Sequence, residues 1–161
     1  GRSARCFNMQ VIGLSRSGKA VDGFNRVHDL TQLENFLQDC QYLVSTLPQT
    51  PETDALLNEQ AIAQLPKGAY FINVGRSNVI DDAALIKALT CGHLAGAVLD
   101  VFDEEPLPPD NPLWTTRNLQ ITAHISAISH PLLIVPIFVE NYQRYLDEQP
   151  LTHKIDFDAG Y

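Results

Sequence analysis

The stretch AYFINVGRSNVIDDAALIKAL, residues 69–89, carries a change of period that decides the fold. Ala69 to Val74 is a nearly continuous apolar run, too short for a core helix and of strand length. It stops at Gly75, and Arg76 follows at once. Asp81 or Asp82 then offers an N-cap side chain, and Ala83-Ala84-Leu85-Ile86-Lys87-Ala88-Leu89 follows as an amphipathic run. That helix stops near Gly92, at the position where a left-handed C-terminal residue favours glycine. A buried strand, a tight turn and an amphipathic helix form one unit of a parallel α/β sheet.

The same rhythm extends outward in both directions. Met9 to Leu14, Tyr42 to Leu47, Gly96 to Val101 and Leu119 to Thr122 are further short apolar runs. Because they are dense rather than alternating, they read as strands covered on both faces. Thr31 and Glu34 are spaced as a capping box ahead of Leu30, Leu33, Phe36, Leu37 and Cys40, an i, i+3, i+4 face. Asn58 opens another helix, which Pro66-Lys67-Gly68 ends. Residues 103–118 are a proline-rich connection. Ser129 to Glu148 forms a closing helix that Pro136 should kink or delay.

Composition sets the outer limits. The chain has 161 residues, 45% apolar and 19% charged, the profile of an ordinary globular domain. A net charge of -8 excludes a nucleic-acid or anionic-membrane surface, both of which need clustered Lys and Arg. No run approaches a membrane span, and no signal-peptide pattern opens the chain. Cys6, Cys40 and Cys91 lack metal-ligand spacing, and no metal site is expected. They read as three reduced, mostly buried thiols of a cytoplasmic protein. His28, His93, His130 and His153 show no partner spacing and read as surface residues.

In an open parallel sheet, ligands bind beyond the carboxyl ends of the strands. Those ends carry Ser15-Arg16-Ser17, then Leu47-Pro48-Gln49-Thr50, then Gly75-Arg76, then Asp100 followed by Glu105, and finally His124. A guanidinium, two carboxylates and an imidazole are thereby brought to one rim. Gly75 would let the backbone turn tightly beside a ligand.

The run from Met9 to about Ala127 resembles the nucleotide-binding domain of the D-isomer-specific 2-hydroxyacid dehydrogenases. The resemblance rests on LPQTPET (47–53), LPKGAYFINVGRSNVIDDAALIKAL (65–89), GAVLDVFDEEPLPPDNPLW (96–114) and ITAHISA (121–127). EEPLPPDNPLW and the final Gly160-Tyr161 resemble most the bacterial glyoxylate/hydroxypyruvate reductase branch of that family. The resemblance implies a Rossmann-like parallel sheet with flanking helices. It also implies reduction of a small 2-keto acid to the D-2-hydroxy acid with a nicotinamide cofactor.

Roles follow position by position from the resemblance. Arg76 would hold the substrate carboxylate and polarise the 2-keto oxygen, for which a planar, always-charged fork suits. His124 would protonate the keto oxygen, since imidazole both donates and accepts near neutrality. Glu105 would bond the other ring nitrogen and fix the tautomer. Asp100 would orient the nicotinamide ring. Leu47, Pro48 and Thr50, with Val74 and Gly75, would line the cofactor channel. NAD-selective domains place an acid after the second strand, whereas an arginine accommodates a 2′-phosphate. Here Ser15, Arg16 and Ser17, with Lys19 nearby, favour NADPH over NADH. A homodimer is expected, because the family dimerises through this domain.

The sequence departs from the family pattern in three ways. Ala123 precedes His124 where proline is usual, and Ser77-Asn78 replaces a common glycine. No G-x-G-x-x-G is present, so the expected sheet is incomplete. With Met9–Leu14 as the second strand and Tyr70–Val74 as the fourth of a 3-2-1-4-5-6 order, the first strand and its phosphate-binding loop would be missing between them. Residues 1–127 are thus expected to form a partial dinucleotide-binding domain. Residues 128–161 would be a helix and tail that pack on a substrate domain outside the chain, and the 161 residues alone should turn over little. The other reading is a non-catalytic nucleotide-sensing or assembly module on the same scaffold. Keeping Arg76, Glu105 and His124 together favours the enzyme, since a pure scaffold needs none of them.

Overall fold

A computed structural model of the protein describes residues 1–157; Gly160 and Tyr161 lie outside them. The order is α1 (Arg2–Arg5), β1 (Ile12–Leu14), β2 (Arg26–His28), α2 (Leu33–Gln38), β3 (Tyr42–Ser45) and α3 (Glu59–Gln64). It continues with β4 (Ala69–Asn73), α4 (Asp82–Thr90), β5 (Leu94–Leu99), β6 (Leu119–Ile121) and α5 (Pro131–Leu146). Every strand pairing is parallel. β3-β4-β5-β6 form one four-stranded sheet and β1-β2 a separate pair. This is the expected α/β class with a Rossmann-like sheet.

The local signals work where a side chain meets a helix end directly. Asn58 accepts the Ala61 N–H at 3.0 Å, and Asp81 accepts those of Ala83 and Ala84 ahead of α4. Gly92 takes φ +72° just beyond α4, as a C-terminal glycine should. The expected capping box at Thr31 does not form. Asp29 caps instead, accepting the Thr31 N–H at 2.9 Å, because the first turn is a 3-10 turn over Leu30–Gln32 that brings the cap back by two residues.

β2 falls outside the five apolar runs. Its residues pass from exposed Arg26 through half-buried Val27 to buried His28, too short and too polar to form a run. Its presence also corrects the expected break in the sheet. β4 is flanked by β3, with Tyr42 opposite Tyr70 and Ser45 opposite Asn73, and by β5. The discontinuity lies between the β1-β2 pair and the β3 edge of the larger sheet.

The core lies on one face of that larger sheet. Phe36 and Leu37 of α2, Ile62 of α3 and Leu85 and Leu89 of α4 pack with Leu43, Phe71 and Leu99 of the strands. Burying each such side chain contributes about 1.5–3 kcal/mol. The strands are not covered on both faces among the described residues. Tyr42, Val44 and Tyr70 are exposed on the opposite face, and the two tyrosines stack with ring centroids 5.5 Å apart. α5 runs through Pro136 rather than starting after it, at the cost of the bond that residue 136 would donate to Leu132. Its apolar side chains, Leu132, Leu133, Val135 and Phe138 among them, stay exposed. Among the described residues no helix is long and apolar enough to cross a membrane.

Two assignments of buried and exposed residues change. Cys6 and Cys91 are exposed, and only Cys40 is buried. Burial, helped by Asp39, pushes the Cys40 thiol up to about 11, which leaves it an inert core group. His28 is buried edge-on against Phe36, and half-buried His93 sits 3.0 Å from the Ile62 carbonyl through Nε2. Neither is a surface histidine, since a lone imidazole carries no periodic signal of the face it occupies.

Candidate active site

β4 ends at Asn73, and the chain turns through Val74 and Gly75 into Arg76. The need for glycine comes from the neighbouring strand end. A Cβ on Gly75 would lie 2.6 Å from the Leu47 carbonyl oxygen and 2.7 Å from its nitrogen. The obstacle is backbone, which cannot swing away. Gly75→Ala should therefore destabilise the chain by about 1–3 kcal/mol and push the 46–48 segment outward. Chemical denaturation checks the first effect; an unchanged midpoint would mean that the two strand ends separate without cost.

Arg76 is exposed, and one of its guanidinium nitrogens donates to the Gly75 carbonyl at 2.9 Å. Among the described residues no carboxylate forms an ion pair with it. Asn73 is fully buried beneath the turn. Its side-chain amide donates to the Arg76 carbonyl at 3.0 Å, and its oxygen accepts the Gly75 N–H at 3.1 Å.

His124 follows β6 with φ +53°, in the left-handed region that side chains seldom occupy. Its N–H donates to the Asp100 carbonyl at 2.8 Å. Its Nδ1 lies 2.9 Å from Glu105 Oε2, while Glu105 Oε1 accepts the Phe102 N–H at 3.0 Å. The bond with His124, followed by the Phe102 N–H, holds the Glu105 carboxyl below its usual range. Glu105 is therefore an ionised acceptor at neutral pH. With Nδ1 engaged by the carboxylate, Nε2 is left as the nitrogen for an incoming group.

Arg76, Glu105 and His124 line one cavity of about 300 Å³, together with Gln49, Ser77, Val101, Phe102 and Asp103. The strand-end reasoning brought the first three together. It placed Gln49 at the same rim without giving it a role, and it missed Ser77, the neighbour of Arg76, because a hydroxyl in a loop stands out from no background.

A second cavity of about 670 Å³ opens beside the first, with Arg76 and Gln49 common to both. Ser15, Arg16, Leu47, Pro48, Thr50, Val74 and Gly75 all line it, and so do Leu14, Leu30, Glu52 and Thr53. Ser17 lies outside it; its hydroxyl accepts the Lys19 N–H at 3.4 Å. The donor set suits a nicotinamide dinucleotide. Leu14, Leu47 and Val74 offer apolar walls for flat rings, and Arg16 with Ser15 offers a cation and a hydroxyl for a phosphate or ribose.

Asp100 opens onto neither cavity. It is 1% exposed, and its carboxylate accepts from the Thr122 hydroxyl and from the N–H groups of Ile125 at 3.0 Å and Ser126 at 2.9 Å. Burial alone would push this carboxyl up, but those donors outweigh it and hold it well below the usual carboxylate range. The structure thus ties Asp100 to the loop carrying His124.

Residues 1–126 match the family described as D-isomer specific 2-hydroxyacid dehydrogenase, NAD binding domain. Among solved structures, the D-isomer specific 2-hydroxyacid dehydrogenase family protein of Aeromonas salmonicida subsp. salmonicida A449 is 46% identical, with a TM-score of 0.91 over 98% of this chain and 51% of its own. The D-isomer specific 2-hydroxyacid dehydrogenase of Xanthobacter autotrophicus Py2, in complex with NADPH and MES, is 44% identical, with a TM-score of 0.89 over 95% of this chain and 63% of its own. The NADPH-dependent glyoxylate/hydroxypyruvate reductase of Sinorhizobium meliloti, in complex with NADP and sulfate, is 33% identical, with a TM-score of 0.92 over 99% and 52%. The chain therefore spans between 51% and 63% of the length of these relatives.

Proposed function

Because the chain belongs to the D-isomer specific 2-hydroxyacid dehydrogenase family through its NAD-binding domain, we propose that it carries the cofactor cleft and the acid-base residues of a 2-keto acid reductase. The substrate is a small 2-keto acid of the glyoxylate or hydroxypyruvate type, and the product is its D-2-hydroxy acid. The observation that carries this reading is the shared cavity of Arg76, Glu105 and His124, with the imidazole already bonded to its carboxylate at 2.9 Å.

The chemistry follows from the side chains. Arg76 grips the substrate carboxylate in a two-point fork and draws density from the keto oxygen. His124 gives that oxygen a proton from Nε2, and Glu105 holds the ring and balances the imidazolium before transfer. A reduced nicotinamide, when bound, supplies the hydride. Arg16, with Ser15 and Ser17 near it, favours NADPH, and two of the relatives are structures with NADPH or NADP. The protein acts as a cytoplasmic homodimer, and α5 packs on a substrate-binding domain.

The test is an assay of the complete gene product with NADPH or NADH and either glyoxylate or hydroxypyruvate, followed through loss of nicotinamide absorbance. Turnover with NADPH preferred is expected, whereas the isolated 161 residues should show little. Tight NADPH binding by the complete product without turnover of any 2-keto acid would assign it to nucleotide sensing instead.

A further inference from the structure

Arg76 and His124 answer to two parts of a 2-keto acid, the carboxylate and the keto oxygen. What remains of their cavity must hold whatever the keto carbon carries on its other side. Gln49, Ser77 and Asp103 line that cavity too and make the remainder polar. Among the described residues, the Gln49 amide and the Ser77 hydroxyl have no hydrogen-bond partner. Polar side chains that folding leaves unspent in a cavity are the groups that orient a ligand. Gln49 lines both cavities, which places it at the seam between them.

The backbone beneath both side chains is braced. Buried Thr53 staples the Gln49 segment on either side with one hydroxyl, which donates to the Pro48 carbonyl at 2.7 Å and accepts the Thr50 N–H at 2.9 Å. Ser77 opens a 3-10 turn, Ser77–Val79, that ends on fully buried Val79. The Asn78 carbonyl accepts the Ala55 N–H at 2.7 Å, and the Val79 carbonyl accepts the Leu57 N–H at 2.9 Å. One segment, 48–57, therefore holds both the Gln49 loop and the Ser77 turn, and little backbone ordering is left for a ligand to impose.

Resting on the reductase reading above, we propose that Gln49 and Ser77 are specificity-determining residues that select a 2-keto acid with a hydroxyl on its third carbon, hydroxypyruvate over pyruvate and glyoxylate. A hydroxyl both donates and accepts. It gives its proton to the Gln49 carbonyl oxygen and accepts from the Ser77 O–H. A methyl group in the same place strips water from both side chains and returns no hydrogen bond. Glyoxylate, with only a hydrogen there, leaves the two groups to water. Asp103 and Glu105 in the same wall oppose a second carboxylate, so dicarboxylic keto acids are disfavoured.

Steady-state kinetics of the complete gene product with hydroxypyruvate, pyruvate and glyoxylate test this. The parent protein should show kcat/KM for hydroxypyruvate at least about tenfold above that for pyruvate. Ser77→Ala and Gln49→Met each remove one hydrogen bond, and each should lower the ratio of kcat/KM for hydroxypyruvate over glyoxylate about 3–10-fold. Taking a ratio within each variant cancels any loss of folded protein. If Ser77→Ala does not fold, Ser77→Gly removes the same hydroxyl and should give the same fall. A parent protein that reduces hydroxypyruvate and pyruvate equally well overturns the proposal and leaves the reductase reading standing. So do variants whose ratio stays within about twofold of the parent's. A parent protein that reduces none of the three acids overturns the reductase reading itself, and this selectivity with it.

Discussion

His124→Gln in the complete gene product will lower kcat by about 10²–10⁴-fold, the range that a positioned general acid contributes, while the Kd for NADPH changes little. Glutamine retains a polar end of similar reach and can still offer an N–H toward a keto oxygen. It cannot release a proton near neutral pH, so the developing alkoxide must take one from water. Cofactor affinity is spared because His124 lines the smaller cavity with Arg76 and Glu105, whereas Leu14, Arg16 and Leu47 line the larger one. Glu105 loses the partner that most depresses its carboxyl. Its pKa then rises toward the usual carboxylate range, still far below neutral, so it stays ionised at the assay pH. Stopped-flow hydride transfer and NADPH titration separate the two effects. A variant with full kcat would remove His124 from the acid's role.

Arg76→Lys will reduce kcat/KM about 10–100-fold, which corresponds to losing one charge-assisted hydrogen bond of about 1.5–3 kcal/mol. The charge survives the exchange, but the geometry does not. An ammonium is a point donor and cannot offer two parallel N–H groups to a carboxylate. The guanidinium is also steadied by its own bond to the Gly75 carbonyl at 2.9 Å, a contact that leaves its other N–H groups for substrate. Most of the loss should fall on KM for the keto acid, with part on kcat because the keto oxygen is less polarised. Steady-state kinetics with glyoxylate and hydroxypyruvate measure it, and equal kcat/KM for parent and variant would show that the anion sits elsewhere.

Local rules carried as far as side chains act on their own neighbourhood. Asn58 and Asp81 cap the helices that their positions announce, because an N-cap oxygen needs only the amides two or three residues ahead. Asp29 displaced Thr31 for a reason of the same range, a tighter first turn that local spacing does not reveal. β2 was invisible because three residues with one half-buried valine make no period. Arg76, Glu105 and His124 were legible together because a parallel sheet sends all its strand ends to one side, so chain order alone predicts a common rim.

The sequence by itself determined the parallel α/β architecture, the helix caps at Asn58 and Asp81 and the three polar groups that would share an edge, since period, capping and strand direction are properties of short segments. Only the tertiary structure decided that Gly75 is required by the Thr46–Leu47 backbone, that one face of the sheet stays open among the described residues, and that Asp100 serves the His124 loop. Each of those depends on how closely chain segments far apart in sequence approach, and that distance is set by packing, which no local pattern of residues encodes.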